Sequence, residues 1–104
     1  MALTARHNIT TVLTQNLVAA GDNAGSINSV HLANVHASDD VNVDLIVNNS
    51  GADYYIIKNV TIPNGTSLVV DTSEMAINTS SNQDSLRIKL SAAIPVDVII
   101  NNRK

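Results

Sequence analysis

The chain contains no cysteine, no phenylalanine and no tryptophan. Without cysteine there are no disulfides, no thiolate nucleophile and no cysteine-based metal site. Two tyrosines make up the whole 2% aromatic content, so the stacking platforms used by single-strand nucleic-acid binders and most sugar clefts are nearly missing. Charge is also sparse: 14% of residues are charged, against roughly 25% in an average soluble protein. With a formal net charge of −3 and six scattered basic residues, no positive footprint for a phosphate backbone exists, and nucleic acid is not an expected partner. Only four glycines are present, none arranged as a phosphate-cradling loop. Nowhere do about 18 apolar residues follow one another, and Met1 to Asn8 shows no long apolar run behind a basic start. The expectation is therefore neither a membrane span nor a signal peptide.

What the chain does have is Val, Ile and Leu, which supply most of its 44% hydrophobic content, set among many Asn, Ser and Thr. That mixture favours strands over helices. A length of 104 residues is the usual size of one domain with one core. Apolar residues recur at every second position in Val41-Asn-Val43-Asp-Leu45-Ile-Val47, again in Asp84-Ser-Leu86-Arg-Ile88-Lys-Leu90, and again in Pro95-Val96-Asp-Val98-Ile-Ile100. This is the period of an extended strand with one face buried.

Clusters of turn-forming residues separate these runs: Ala20 to Gly25, Ser38 to Asp40, Asn48 to Gly51, Pro63-Asn-Gly65 and Ser80 to Asp84. They divide the chain into about seven strands, near 8–18, 27–37, 41–48, 53–62, 66–71, 85–92 and 95–101, with boundaries good to roughly 2–4 residues. Asn48 to Gly51 is expected to close a hairpin and Pro63 to Gly65 a tight turn. Thr72 to Ser80 fits neither period and reads as a helical turn or a loop crossing between sheets. The fold class that follows is all-β: one small antiparallel β-sandwich, of jelly-roll or immunoglobulin-like type. Residues 1–8 read as an N-terminal arm, 9–101 as the sandwich and 102–104 as a C-terminal tail.

Some strands carry more apolar residues than one buried face needs. If Val43, Leu45 and Val47 point inward, Ile46 points outward, and the pairs Ile56-Ile57, Val69-Val70 and Ile99-Ile100 repeat the conflict. Either bulges turn both members of a pair inward or the surplus residues meet a partner. On the second reading Ile46, Tyr54, Ile56 and Ile99 form an interface patch, and the chain is a homo-oligomer.

Candidates for chemistry are weaker. His31 and His36 are five apart on one expected strand and so face opposite ways, which leaves His7, His31 and His36 as structural or solvated residues. Asp39-Asp40 and Asp22-Asn23 lack the spacing of a calcium loop and read as turns. Asp44 and Asp97 read as solvated residues on polar strand faces, and no nucleophile elbow accompanies any serine. No catalytic, cofactor-binding or metal-binding residue is expected, and the chain does not read as an enzyme.

Three stretches carry a family pattern: Leu32 to Val43; Tyr54 to Leu68, containing Ile62-Pro-Asn-Gly-Thr-Ser-Leu68; and Asp84 to Ala92 followed by Val96-Asp-Val98. A strand leading into an Ile-Pro-x-Gly-x-Ser-Leu turn, then an Asp-x-Leu strand, a Ser-Ala loop and a closing Asp-Val strand, resembles small β-sandwich virion proteins of tailed bacteriophages, cyanophage-like ones in particular. The resemblance covers about two thirds of the chain, and Asn101 to Lys104 extend beyond the closing strand. It implies a non-enzymatic structural protein of the virion, located on the capsid as decoration or cement or at the neck or tail, with other virion proteins as partners. The competing reading, from the sandwich alone, is a carbohydrate-binding or adhesin module, for which only Tyr54 and Tyr55 offer aromatic faces.

Overall fold

A computed structural model describes residues 2–19 and 25–103, with side chains placed for 6–19 and 25–102. The alternating runs become strands of two antiparallel four-stranded sheets. One sheet holds β1 (Ala2–Ile9), β8 (Val96–Arg103), β3 (Ser26–Asn34) and β6 (Ser67–Asp71), in the order β1-β8-β3-β6. The other holds β2 (Gln15–Val18), β7 (Ser85–Leu90), β4 (Val41–Asn49) and β5 (Ala52–Ile62), in the order β2-β7-β4-β5. No helix occurs among the described residues. Only the β4–β5 connection stays within a sheet; every other one crosses between sheets. Eight strands wound in this order are a jelly roll, which decides between the two sandwich types expected.

The inward residues are those that the alternation marks. Val43, Leu45, Ile88 and Leu90 of one sheet and Val30, Leu32, Val98 and Ile100 of the other are fully buried, and they belong to one aliphatic core. Each such side chain contributes roughly 1.5–3 kcal/mol by leaving water, which compensates for the missing aromatic bulk.

Three expectations are corrected. The stretch near 8–18 is not one strand: β1 ends at Ile9, exposed residues Thr10 to Thr14 form a loop, and β2 begins at Gln15 in the opposite sheet. The expected arm at 1–8 is not detached over its described residues, 2–8. From Ala2↔Arg103 to Ile9↔Val96, β1 pairs with β8 without interruption, because β8 would otherwise leave its backbone groups unpaired along a sheet edge. The C-terminal tail is likewise absorbed: β8 runs to Arg103, and Asn102 is buried, while Lys104 lies outside the described residues.

The β4–β5 hairpin forms where expected. Ser50 and Gly51 both have positive φ, 52° and 83°, the conformation of a two-residue type I′ turn. At Pro63 to Gly65 the Thr66 N–H donates to the Pro63 carbonyl at 3.1 Å, and Gly65 takes a positive φ of 71° that suits a residue without Cβ. Thr72 to Ser80 is a loop crossing between the sheets, anchored inward by Ile77. Apart from Gly25, the turn cluster at 20–25, and with it the Asp22-Asn23 candidate, lies outside the described residues.

Candidate functional site

The strand registers place the connections at two opposite ends of a body measuring 40 × 28 × 20 Å. At one end lie the loops β1–β2, β3–β4, β5–β6 and β7–β8. Two of them, β3–β4 and β5–β6, are tied by Asn34, a buried residue at the end of β3. Its Nδ2 donates to the carbonyls of Asp39 (3.0 Å) and Ile62 (2.9 Å), and its Oδ1 accepts the His36 N–H at 3.0 Å. Its backbone N–H donates to Thr66, and its carbonyl accepts from Gly65. Side chain and backbone of this one residue thus hold the β3–β4 loop, the end of β5 and the β5–β6 loop together, with every polar group of the amide satisfied, which is what a buried polar group requires. Beyond this knot the loops present apolar residues to solvent: Val12, Leu13 and Val35 are exposed, Leu13 to 70%.

At the other end the β4–β5 hairpin meets the β6–β7 loop. Asn78 organises that loop: its Oδ1 accepts the N–H groups of Ser80 and Ser81 at 2.9 and 2.8 Å. The Asp84 carboxylate, also buried, accepts from Asn49 Nδ2 at 2.7 Å and from the Asn78 N–H at 3.1 Å. Between the start of β5 and this loop opens a cleft of about 470 Å³, lined by Val47, Tyr54, Ile56, Met75 and Ile77 together with Asn49, Tyr55 and Asp84. Tyr54 is 62% exposed, and Met75 is exposed beside it.

The four residues expected to form one interface patch are not brought together. Ile46 points outward, paired with Arg87 on β7 and Tyr55 on β5, yet it is only 2% exposed. Ile99 belongs to β8 in the other sheet, between Arg6 and His31. Ile56 is turned inward by a bulge: Leu45 pairs with Ile57 while Ile46 pairs with Tyr55, so Ile56 is the extra residue, and both isoleucines pack against the core. Of the four, Tyr54 alone is both exposed and at the cleft. Of the other exposed apolar residues, Leu13 and Met75 stand in loops, where period-two reasoning gives no signal, and Val69 stands on β6, on the outer face of the other sheet.

A second irregularity in β5 explains Asp44. Between Val43↔Val60 and Leu45↔Ile57 the strand gains a residue; Asn59 adopts a φ of 56°, and its N–H donates to Asp44 Oδ1 at 2.6 Å. Asp44 therefore fastens a bulge, and Asp97 accepts from Asn8 Nδ2 at 2.6 Å across β1 and β8. His36 lies past the end of β3, in the loop, where Nδ1 accepts from the N–H groups of Ser38 and Asp39. His7 and His31 stand on β1 and β3. Among the described residues no three His, Asp or Glu side chains gather as a metal group would, and no helix is long and apolar enough to cross a membrane.

No known family matches the sequence, and no curated protein matches it either. Among solved structures, the chain is similar to the Yersinia pseudotuberculosis-derived mitogen, at 10% identity and a TM-score of 0.42, over 98% of this chain and 84% of that one. It is also similar to a chain of the T13 IBDV viral particle, at 13% identity and a TM-score of 0.39, over 99% of this chain and 35% of that one. Neither likeness bears on function.

Proposed function

We propose that the chain is a structural virion protein of a tailed phage, a non-enzymatic particle that docks on capsid, neck or tail proteins. One observation carries the reading: the accessible apolar groups, Val12, Leu13 and Val35 at one end, Tyr54 and Met75 at the other, and Tyr55 and Val69 on the outer sheet faces, stand out from a surface that is otherwise largely polar. Gathered apolar exposure on a soluble domain is the mark of a protein-binding surface. The eight-stranded jelly roll supports this, since the architecture recurs in capsid domains, an argument from analogy. The family pattern read from Leu32 to Val98 points the same way. The test is proteomic: mass spectrometry of purified phage particles is expected to find the chain at a fixed copy number, released with a capsid, neck or tail subassembly. Its absence from particles, with the protein present in infected cells, overturns the reading.

Tyr54 keeps the carbohydrate-binding alternative open, because an exposed ring beside a cleft is where a sugar face stacks. A reproducible glycan-array hit abolished by Tyr54→Ala would favour it over the virion reading.

A further inference from the structure

Of the asparagines in the chain, Asn64 alone is followed by glycine. In that dipeptide the asparagine side chain is most readily attacked by the next backbone nitrogen, because glycine puts no Cβ in the way of ring closure. Nothing lies within 4 Å of where a Cβ on Gly65 would stand, and Asn64 and Gly65 are both exposed. The site is therefore open to water and uncrowded, and what opposes reaction is its hydrogen bonding. The Gly65 N–H, whose nitrogen is the nucleophile, donates to the Asn34 carbonyl at 3.0 Å. Asn64 Nδ2, the leaving group, donates to the Ala37 carbonyl at 3.3 Å, and the Asn64 N–H donates to Asp40 Oδ1 at 3.0 Å. We propose that Asn64-Gly65 is a deamidation site held shut by the Asn34 knot, reacting only when the β3–β4 and β5–β6 loops part.

The reaction needs water and no other reagent. With the loops parted, solvent base takes the Gly65 amide proton and the nitrogen attacks Asn64 Cγ. The new N–Cγ bond closes a succinimide while the Cγ–Nδ2 bond breaks and ammonia leaves. Water then adds to one of the two ring carbonyls and breaks its bond to the ring nitrogen, giving aspartate or isoaspartate, with nothing oxidised or reduced. Amide hydrogen exchange at Gly65 begins with the same loss of a proton to base, so both reactions run through the open state and are slowed by the same opening equilibrium.

The guard is firm because its acceptor is fixed. Asn34 is buried, and its side chain is bonded to the Asp39 and Ile62 carbonyls and to the His36 N–H, so the carbonyl that receives Gly65 does not fray with the turn. The product undoes its own restraints. An acid at position 64 has no amide to donate to Ala37, and it places a carboxylate beside Asp40, where like charges repel. Deamidation therefore records, irreversibly, how often the end that carries Val35 opens. The inference concerns the purified chain and is independent of the virion reading.

The test follows the full chain, folded and in urea, at mildly alkaline pH. Peptide-mapping mass spectrometry and isoaspartate-specific methylation read Asn64, with Asn49, which precedes Ser50, as the internal control. Asn64 is expected to convert in urea and to be slowed by about tenfold or more in the folded chain, the factor for one protected hydrogen bond. Gly65 amide exchange, read by NMR, is expected to be slowed by the same factor. Asn34→Ala is expected to speed Asn64 by about tenfold and leave Asn49 unchanged, and Asp40→Ala, at an exposed position, to speed it by about threefold. A β-type circular dichroism spectrum verifies folding; if Asn34→Ala does not fold, the parent chain and Asp40→Ala decide. Equal rates in the folded chain and in urea, or a Gly65 amide that exchanges as in a free peptide, overturn the proposal. So does a folded Asn34→Ala or Asp40→Ala with the parent's rate, or one in which Asn49 speeds up together with Asn64.

Discussion

The outer faces of the two sheets each have an isoleucine in the middle of a cross-strand row, and they treat it differently. Across β2-β7-β4-β5 the row reads Asn16, Arg87, Ile46, Tyr55; across β1-β8-β3-β6 it reads Arg6, Ile99, His31, Val69. Ile46 is 2% exposed, whereas Ile99 is half-buried and Val69 is 61% exposed. The difference lies in the neighbours' reach. Arg87 is held by Asn16, its Nε donating to Oδ1 at 2.9 Å, and Lys58 lies over the Tyr55 ring at 4.3 Å. Long side chains fixed this way lay their stems across an apolar neighbour while their polar ends stay wet. Ile99 stands between Arg6 and the shorter His31, and Val69, on the edge strand, has only His31 beside it in the row. An outward position is therefore buried or open according to the length and anchoring of what stands beside it.

The largest expected effects compare positions across this contrast. Leu45→Ala, inside the core, is expected to cost about 2–5 kcal/mol, and Ile46→Ala, one residue on and facing out, about 2–4 kcal/mol. Ile99→Ala, on the open face, is expected to cost about 1 kcal/mol. Urea unfolding of the three variants is the measurement, and an Ile46→Ala cost no greater than that of Ile99→Ala breaks the comparison.

A smaller effect sharpens it. Tyr55→Ser uncovers Ile46 and removes the ring under Lys58, for an expected loss of about 1 kcal/mol, whereas Val69→Ser is expected to stay within about 0.5 kcal/mol of the parent. Equal shifts in thermal midpoint for the two would show that Tyr55 does not shield its neighbour.

The smallest concerns Asp71, at the end of the open face. Hydrogen bonds from the Ser73 hydroxyl and the Ser73 N–H stabilise its carboxylate and lower its pKa below the ordinary value. A lowered folded-state pKa means that the contribution is present above the unfolded value, about 3.9, and is lost as pH falls through the folded one. Because the group is exposed, the expected change is visible in its own NMR titration more than in global stability. A midpoint at or above 3.9 in the folded protein, or no upward movement in Ser73→Ala, would contradict it.

Much of this architecture was legible in the sequence. The runs 41–47, 84–90 and 95–100 give β4, β7 and β8 with the correct inward residues, and Asn48 to Gly51 gives the hairpin, because side-chain alternation and positive-φ turn chemistry are local properties. The candidate surface was legible only in part. Ile56 was misplaced because a bulge shifts phase without leaving a composition signal, and Ile46 and Ile99 were grouped although they lie in different sheets. Asn34 gave no sign of its role, since its partners Asp39, Ile62, Thr66 and Gly65 converge only when the β3–β4 loop meets the end of β5 and the β5–β6 loop.

By itself, then, the sequence determined that the chain is built of strands, which side chains of most strands are buried and where the tightest turns fall, since each depends on neighbours a few residues away. Tertiary structure decided the order of strands in the two sheets, the capture of residues 2–9 by β8, and the shielding of Ile46. Those outcomes depend on which distant segments pair and on the reach of side chains from neighbouring strands, and no local period encodes either.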